Sequence, residues 1–565
     1  MGDEKMYYSL FFEARSIQSY IFDSGKMKEM VGASELIKEL CAEKLDELID
    51  YCRLKEIISQ SKADAFKIGD MKKGEIFFSR RSGGVFTAIF ADKDDRDKFL
   101  GLWSLFVTTF VPGLEVVYAV SEDKDLKELI QKTYKKLAQN RNFPPVVLPE
   151  ATPMHVLAPR TGTPAVENKE EADGNFVWID ESSRKKIKIA DNDKSSDSLS
   201  KAFLTEDKQS TFSFPKNLEF DERGVGEFPF KKDSRYLGLI HADGNSLGQT
   251  LLDIRENIKD GSEYAVMLRL FSDNLEKSTM EAAQEATNKL IEKFKAEPEN
   301  DSAKVLPMRP LVLGGDDLTV IVRADYAMSF TEDYCKAFEE RTKENFKTLH
   351  EQSNNAIPEK LTACAGLAYI KNNQPFMDAF ELAESLCSAS KKVSKDSVKD
   401  NTEVIPATVT NMVVSNSFIE TYEKYKEKEL TVKMGNEKYV ATLGAYAIND
   451  DEKKIPTLNN LRSLCKELTK DGVTPSSIRE YATMIFGSEN ISDEKWRRWM
   501  EMLKKRGLFK GLSECMKNFG VDIKKSPWTD QKTTPIFDAI QLLSMEYEKP
   551  KRQSKEQNKA GKEND

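Results

Sequence analysis

Two short stretches hold the residues with the clearest chemistry. One is HADGNSLG (241–248), in which Asp243 precedes Gly244, Asn245 and Ser246. The other is LGGDDL (313–318), in which Gly314 and Gly315 precede Asp316 and Asp317. Three carboxylates brought to one place make a hard-oxygen site for a divalent cation such as Mg²⁺ or Mn²⁺. A pair of such cations activates an attacking hydroxyl and stabilises a leaving pyrophosphate. The turn after Asp243 opens a helix whose free N–H groups suit a phosphate, and the glycines let backbone approach a triphosphate. Lys391 and Lys392 close a later helix and reach toward the same anion. Asp243, Asp316 and Asp317 are therefore the expected metal ligands and catalytic residues. Gly244, Asn245, Ser246, Gly314, Gly315, Lys391 and Lys392 are the expected nucleotide contacts. Each motif has a plainer reading: Gly-Gly-Asp-Asp also makes a surface hairpin, Asn245 also forms turns, and a lysine pair at a helix C-terminus compensates the dipole. His241, in the strand beside Asp243, reads as a satisfied core histidine.

The elements that must position these residues recur along the chain. Residues 6–12 read as a strand, 15–23 and 33–60 as helical. EIFFSR (75–80) and VFTAIFA (85–91) flank Gly83–Gly84 as a hairpin, because tight turns need the positive φ that glycine supplies. A helix (93–108), a strand (114–120) and a helix (123–138) follow. The same order returns with a strand at 235–242, helix over 250–295, strands 310–315 and 317–324 around Gly314–Gly315, helix 326–350, strand 361–370 and helix 379–392. Aligning the glycine pairs gives an offset of 231, and setting Ala14 under Asp243 gives 229. Agreement within two residues indicates an internal duplication of a ferredoxin-like (RRM-like) unit. In that alignment the first copy has Ala14, Val85 and Phe86 where the second has its aspartates. Strands one and three of such a unit are neighbours, so Asp243 and Asp316–Asp317 converge on one sheet edge.

Composition narrows the classes. The chain has 565 residues with 39% hydrophobic and 32% charged, which predicts two to four soluble domains. Lys and Arg (85) against Asp and Glu (94) leave nine net negative charges, so a general basic coat for nucleic acid is excluded while a local basic groove is not. Seven scattered cysteines without a CxxC, and three histidines, argue against a zinc site, a disulfide framework and a His-Asp phosphohydrolase. No apolar run spans a bilayer and no leader is evident at the start, so no membrane role and a cytoplasmic location are expected.

The motifs together resemble the second palm domain of the large, polymerase-like subunit of type III CRISPR effector complexes. SIQSYIFDSGKMKEMVGASELI (16–37) with SGGVFTAIF (82–90) is similar to that family's first, degenerate palm, and ATPMHVLAPRTGTPAV (151–166) to the segment after it. TLGAYAI (442–448) and TTPIFDAIQLL (533–543) resemble its final helical domain. The resemblance implies an enzyme that joins ATP into cyclic oligoadenylate second messengers for antiviral defence. It implies catalytic metals on the aspartates at 316 and 317, shared by the one at 243, and ATP across both palms. Other effector subunits, guide RNA and target RNA are the implied partners. The sequence departs from the family in lacking a His-Asp nuclease domain and a zinc-binding cysteine cluster. Two rivals stand beside this reading: a palm enzyme with another product (a cyclic dinucleotide, a linear oligomer or an adenylyl conjugate), and a non-catalytic scaffold of a guide-RNA complex. Whether two chains pair as a homodimer is left open.

The expected architecture is α+β: a degenerate palm (1–125), a helical linker with a polar insertion (126–232), the second palm (233–402), a helical C-terminal domain (403–548) and a disordered tail (549–565). Helices are expected at 458–470, 476–487 and 493–507, the last with Trp496, Arg497, Arg498 and Trp499 on a basic, Trp-bearing face.

Overall fold

The computed structural model describes residues 5–57, 68–143, 152–170, 174–191, 198–218, 226–231, 234–398, 404–414, 421–434, 436–450, 454–470 and 489–546, with side chains of 489–495 excluded. The helix expected at 476–487 and the tail from Lys549 lie outside these residues. The chain forms two compact units, residues 1–431 with 443–460, and residues 432–442 with 461–565. Among the described residues, no helix is long and apolar enough to cross a membrane.

The first unit contains both palms. In the first, β1 (Tyr7–Arg15) leads into α1 (Ile17–Phe22), α2 (Met27–Leu40) and α3 (Glu43–Cys52). The hairpin β2 (Glu75–Ser82) and β3 (Val85–Phe90) follows, then α4 (Lys93–Phe110), β4 (Glu115–Asp123) and α5 (Leu126–Asn140). The expected helix 33–60 is thus two helices, α2 and α3, broken at Cys41–Ala42. The strands lie in the order β2-β3-β1-β4, with a two-residue strand at the outer edge of β2, which is the ferredoxin-like arrangement. Alternation along β1 sorts the helices to two faces. Phe12 meets Trp103 of α4 at 5.2 Å between rings, whereas Phe11 meets Tyr134 of α5 at 4.7 Å. α5 therefore covers the first sheet and belongs to the first palm; the boundary drawn at residue 125 cuts in front of it.

Between the palms lie the hairpin β5 (Ala165–Glu170) and β6 (Phe176–Asp180), then α6 (Glu181–Asp191) and α7 (Ser198–Phe203). This segment docks on the first palm. Lys186 donates to the Tyr20 carbonyl at 2.7 Å, and Arg160 pairs with buried Glu29 at 2.9 Å.

The second palm repeats the plan with β7 (Tyr236–Gly244), α8 (Leu247–Asn257), α9 (Gly261–Lys295), β8 (Met308–Gly314), β9 (Asp317–Arg323), α10 (Ala324–Gln352), β10 (Ala363–Lys371) and α11 (Phe376–Asp396). Its sheet continues past the repeat. β11 (Thr408–Val413) pairs in parallel with β10, and β12 (Tyr446–Ala447) with β11, giving the order β12-β11-β10-β7-β9-β8. The helical C-terminal domain was expected to begin at residue 403, yet these strands extend the palm. The Thr-Val-rich run TVTNMV alternates as a strand does and finds β10's open edge to pair with.

The second unit contains α12 (Glu489–Lys505), α13 (Phe509–Lys517) and α14 (Ile536–Glu546). Its core gathers Leu503, Leu512, Met516, Phe519, Val521 and Ile523. Trp496 and Trp499 are buried, and Trp496 donates through Nε1 to the Ile523 carbonyl at 3.2 Å. Arg497 and Arg498 are exposed. The tryptophans and arginines expected on one face are on opposite faces.

Candidate metal centre

Strand pairing brings the three aspartates together. β9 runs antiparallel to β7 with Leu318 opposite Ala242, so one residue further on Asp317 stands opposite Asp243. The β8–β9 turn then places Asp316 beside them. Oxygen atoms of Asp243, Asp316 and Asp317 lie within 4.8 Å of one another. Among the described residues this is the one group of three or more His, Cys, Asp or Glu gathered so closely.

The local backbone explains several of the surrounding residues. Gly314 pairs with Asp317, and Gly315 (φ +62°) is the first central residue of the turn, a conformation that costs glycine little. A Cβ on Gly244 would stand 3.0 Å from the Asp316 Cβ and 2.6 Å from Leu247 Cδ1. Gly244 therefore makes room for Asp316. Ser246 sits in the left-handed region (φ +66°) as the N-cap of α8, without a side-chain cap bond. Asn245 is buried. Its backbone N–H donates to the Thr362 carbonyl at 2.8 Å, and its amide donates to Thr362 Oγ1 at 2.9 Å and Cys364 Sγ at 3.3 Å. These bonds pin the turn after Asp243 to the start of β10, so Asn245 has a structural part in holding that turn.

Of the two lysines, one joins the carboxylates. Lys391 is ion-paired with Asp243 and donates to the Gly244 carbonyl at 2.9 Å. Lys392, the next residue around α11, is exposed and outside the cluster. A single ammonium thus serves three part-buried acids, and their proton affinities separate. Burial works to raise the Asp243 carboxyl, but a hydrogen bond from Asp316 and the Lys391 charge outweigh it and hold Asp243 below the usual range. Burial, the bond to Asp243 and the charges of Asp317 and Asp243 push Asp316 well up. Burial and then the Asp243 charge raise Asp317 to about 7, against the opposing charge of Lys391. Without a cation the site keeps protons to relieve its own repulsion. Clustered, part-buried oxygen donors, two of them with raised proton affinity, fit a hard divalent ion. His241, lowered to about 4 chiefly by burial, stays neutral, with its Nδ1 3.2 Å from Thr319 Oγ1 and its ring against Phe380.

The first palm has a counterpart that the sequence alignment missed. There Ser82 pairs with Val85, and both Gly83 (φ +58°) and Gly84 (φ +79°) occupy the turn. The equivalent turn of the second palm is Gly315–Asp316. The glycine pairs are thus one position out of step, and Gly84 and Val85 stand where Asp316 and Asp317 stand. Likewise Glu13, opposite Val85, matches Asp243, where Ala14 was expected. Glu13 makes a two-pronged bond with Arg141, 2.6 and 2.8 Å. Arg141 lies 15 residues after the first residue of α5, and Lys391 lies 15 residues after that of α11. The first palm-like unit has one carboxylate–cation pair and neither of the other two acids.

The two hairpins touch. A Cβ on Gly314 would stand 3.0 Å from Gly83 Cα, so Gly314 serves the meeting of the palms. Beside this contact a cavity of about 350 Å³ is lined by Ser82, Gly83, Arg81, Arg269, Gly314 and Asp317, among others.

Comparison with known proteins bears on the second palm most directly. Residues 236–399 match the family model described as Cas10/Cmr2, second palm domain. A crystal structure of a Csm1-Csm4 cassette in complex with cA4 is 12% identical, covering 97% of this chain and 71% of that one, with a TM-score of 0.47. Csm1 in T. onnurineus is 14% identical over 96% of this chain and 69% of that one, with a TM-score of 0.45. A Csm1-Csm4 cassette in complex with one ATP is 12% identical over 96% and 70%, with a TM-score of 0.43. No curated protein matches the sequence.

Proposed function

We propose, from the premise that residues 236–399 are a second palm domain of the Cas10/Cmr2 family, that this chain is a divalent-cation-dependent nucleotidyltransferase that joins ATP into cyclic oligoadenylates. The observation that carries the reading is the convergence of Asp243, Asp316 and Asp317 within 4.8 Å, two of them raised by burial and by the neighbouring carboxylates. A Mg²⁺ or Mn²⁺ ion held by these residues would supply Lewis-acid activation of a 3′-hydroxyl and charge neutralisation at the leaving pyrophosphate.

The chain's own residues define the rest. Lys391, ion-paired with Asp243, favours its ionised form. Free N–H groups at the start of α8, just past Ser246, favour a phosphate at that end. Gly315 has no atom within 4 Å of where a Cβ would be, so the turn beside Asp316 is open to a ligand. The cavity between the palms has the size of a small-molecule site and would take the nucleotide that offers the attacking hydroxyl. In this reading other effector subunits with guide and target RNA switch the enzyme on, in the cytoplasm.

The test is incubation of purified protein with ATP and Mg²⁺ or Mn²⁺, with and without the other effector subunits and target RNA, followed by mass spectrometry. Products at multiples of the cyclic adenylate mass, absent from the Asp316→Ala/Asp317→Ala variant, are the expected result. A linear or dinucleotide product would replace the cyclic oligoadenylate assignment. Synthesis retained in the double variant would overturn the site.

A further inference from the structure

The second unit has a charge opposite to the rest of the chain. Residues 432–442 and 461–565 hold 23 Lys and Arg against 17 Asp and Glu, within a protein of nine net negative charges. Much of the excess sits on α12, α13 and the turn between them. From Trp496 to Lys517 there are seven basic residues, Arg497, Arg498, Lys504, Lys505, Arg506, Lys510 and Lys517, and two acidic ones, Glu501 and Glu514. All seven cations are exposed.

Helix geometry arranges them. Lys504 and Lys505 follow Arg497 by seven and eight residues, two turns along α12, which sets the adjacent lysines about 11 Å from the arginine. Trp496, Trp499, Met500 and Leu503 occupy the buried face and fix the stripe's orientation toward solvent. Arg497, Lys505 and Lys510 make no ion pair or hydrogen bond among the described residues, and Lys504 rests its ammonium 5.1 Å from the Phe509 ring. Compensation of the α12 dipole accounts for Lys504 and Lys505. It leaves Arg497 and Lys510 unexplained.

We infer that this stripe is a docking surface for the phosphate backbone of single-stranded RNA. Charge complementarity selects a polyanion. The surface lacks what a protein partner uses for anchorage, since none of the large exposed apolar side chains of the chain falls within the described part of the second unit, and protein interfaces centre on such anchors. The same lack disfavours a membrane, which would need apolar insertion besides charge. Exposed cations along a helix surface suit a strand that can drape over them.

The experiment is fluorescence anisotropy of the full chain with a labelled oligouridylate of roughly 20 nucleotides, titrated across salt. Four phosphate contacts predict a slope of log affinity on log salt near −3, a loss of about 50-fold between roughly 50 and 200 mM salt. The variant Arg497→Gln/Lys504→Gln/Lys505→Gln/Lys510→Gln should flatten that slope to near zero and weaken binding at low salt at least ~10-fold. Helix content of the variant is followed by circular dichroism, and Lys505→Gln alone, expected to lower the slope by about 0.7, keeps the test open if the quadruple change unfolds. Equal binding by wild type and variants, no binding by wild type, preference for a duplex or for DNA of the same sequence, or binding to anionic vesicles alone would each overturn the assignment.

Discussion

Replacing Gly366 by alanine should push α11 off the second palm's sheet and open the carboxylate site at the helix's far end. Gly366 lies in β10 directly under α11. A Cβ there would stand 2.0 Å from the Ala383 carbonyl oxygen, 2.4 Å from the Cys387 nitrogen and 2.8 Å from the Leu386 Cβ. Ordinary contact begins at 3.4 Å, so the helix must retreat by about 1.4 Å. The obstacle is helix backbone, which cannot rotate aside as a side-chain tip can. Overpacking of this sort costs ~1–3 kcal/mol, and a clash with backbone belongs at the upper end. Lys391 is one turn beyond Cys387 on the same helix. A shift of that size would stretch its 2.9 Å bond to the Gly244 carbonyl to about 4 Å, outside hydrogen-bonding range. Urea denaturation followed by tryptophan fluorescence measures the first effect, and nucleotide product formed per chain at saturating cation measures the second. Gly101→Ala is the control: it lies in α4 with nothing within 4 Å of the new Cβ, and should gain ~0.5–1 kcal/mol. A Gly366→Ala protein with the wild-type midpoint would refute the packing argument. One that is destabilised yet fully active would refute the link from α11 to the site.

Further outcomes follow from the electrostatics. In chelator, wild-type stability should fall as pH rises from about 4 to about 7: Asp317 keeps its proton to about 7 when folded and loses it near 4 when unfolded, so the folded chain binds the extra proton through that window. Asp317→Asn should flatten that slope and raise the urea midpoint at alkaline pH, by on the order of 1–4 kcal/mol; an unchanged pH profile would show that the carboxyl is not strained. Lys391→Met should lower product formation at least ~100-fold with partial rescue by Lys391→Arg, since Asp243 loses its one cation; equal activity of the Met variant would remove Lys391 from the site. His241→Gln should leave the shape of the activity–pH curve unchanged between about 6 and 9, because the imidazole is already neutral there; a shifted limb would make it a proton carrier. Glu13→Gln should leave cation dependence untouched while costing the first palm ~0.5–1 kcal/mol of a half-exposed ion pair, read by urea midpoint.

What the sequence made legible was element order and the convergence of acids; what it hid was register. Hydrophobic runs around two glycine pairs marked both hairpins, and the order of strands put Asp243 beside Asp316–Asp317. Matching the glycines letter to letter, however, assumed that each pair filled its turn. The second turn uses Gly315 and Asp316, because an aspartate at the second central position needs no positive φ there. That one-residue slip concealed Glu13 behind Ala14. The role of Asn245 was hidden for a different reason: a polar residue beside a clustered acid reads the same whether it faces solvent or ties a turn to β10. The strands after residue 403 were missed because a short parallel edge strand acquires its role only from the neighbour whose edge it fills.

The paired residues of the two palms also define an electrical count. In the first, one carboxylate and one guanidinium, Glu13 and Arg141, sum to zero. In the second, Asp243, Asp316 and Asp317 set against Lys391 leave a fully ionised site at minus two. One divalent ion cancels that. A second would leave the pocket positive unless an anion came with it, and a triphosphate is such an anion. Under the proposed function, the protein's own charge would balance one divalent ion, and a second would be stoichiometrically a passenger of the nucleotide.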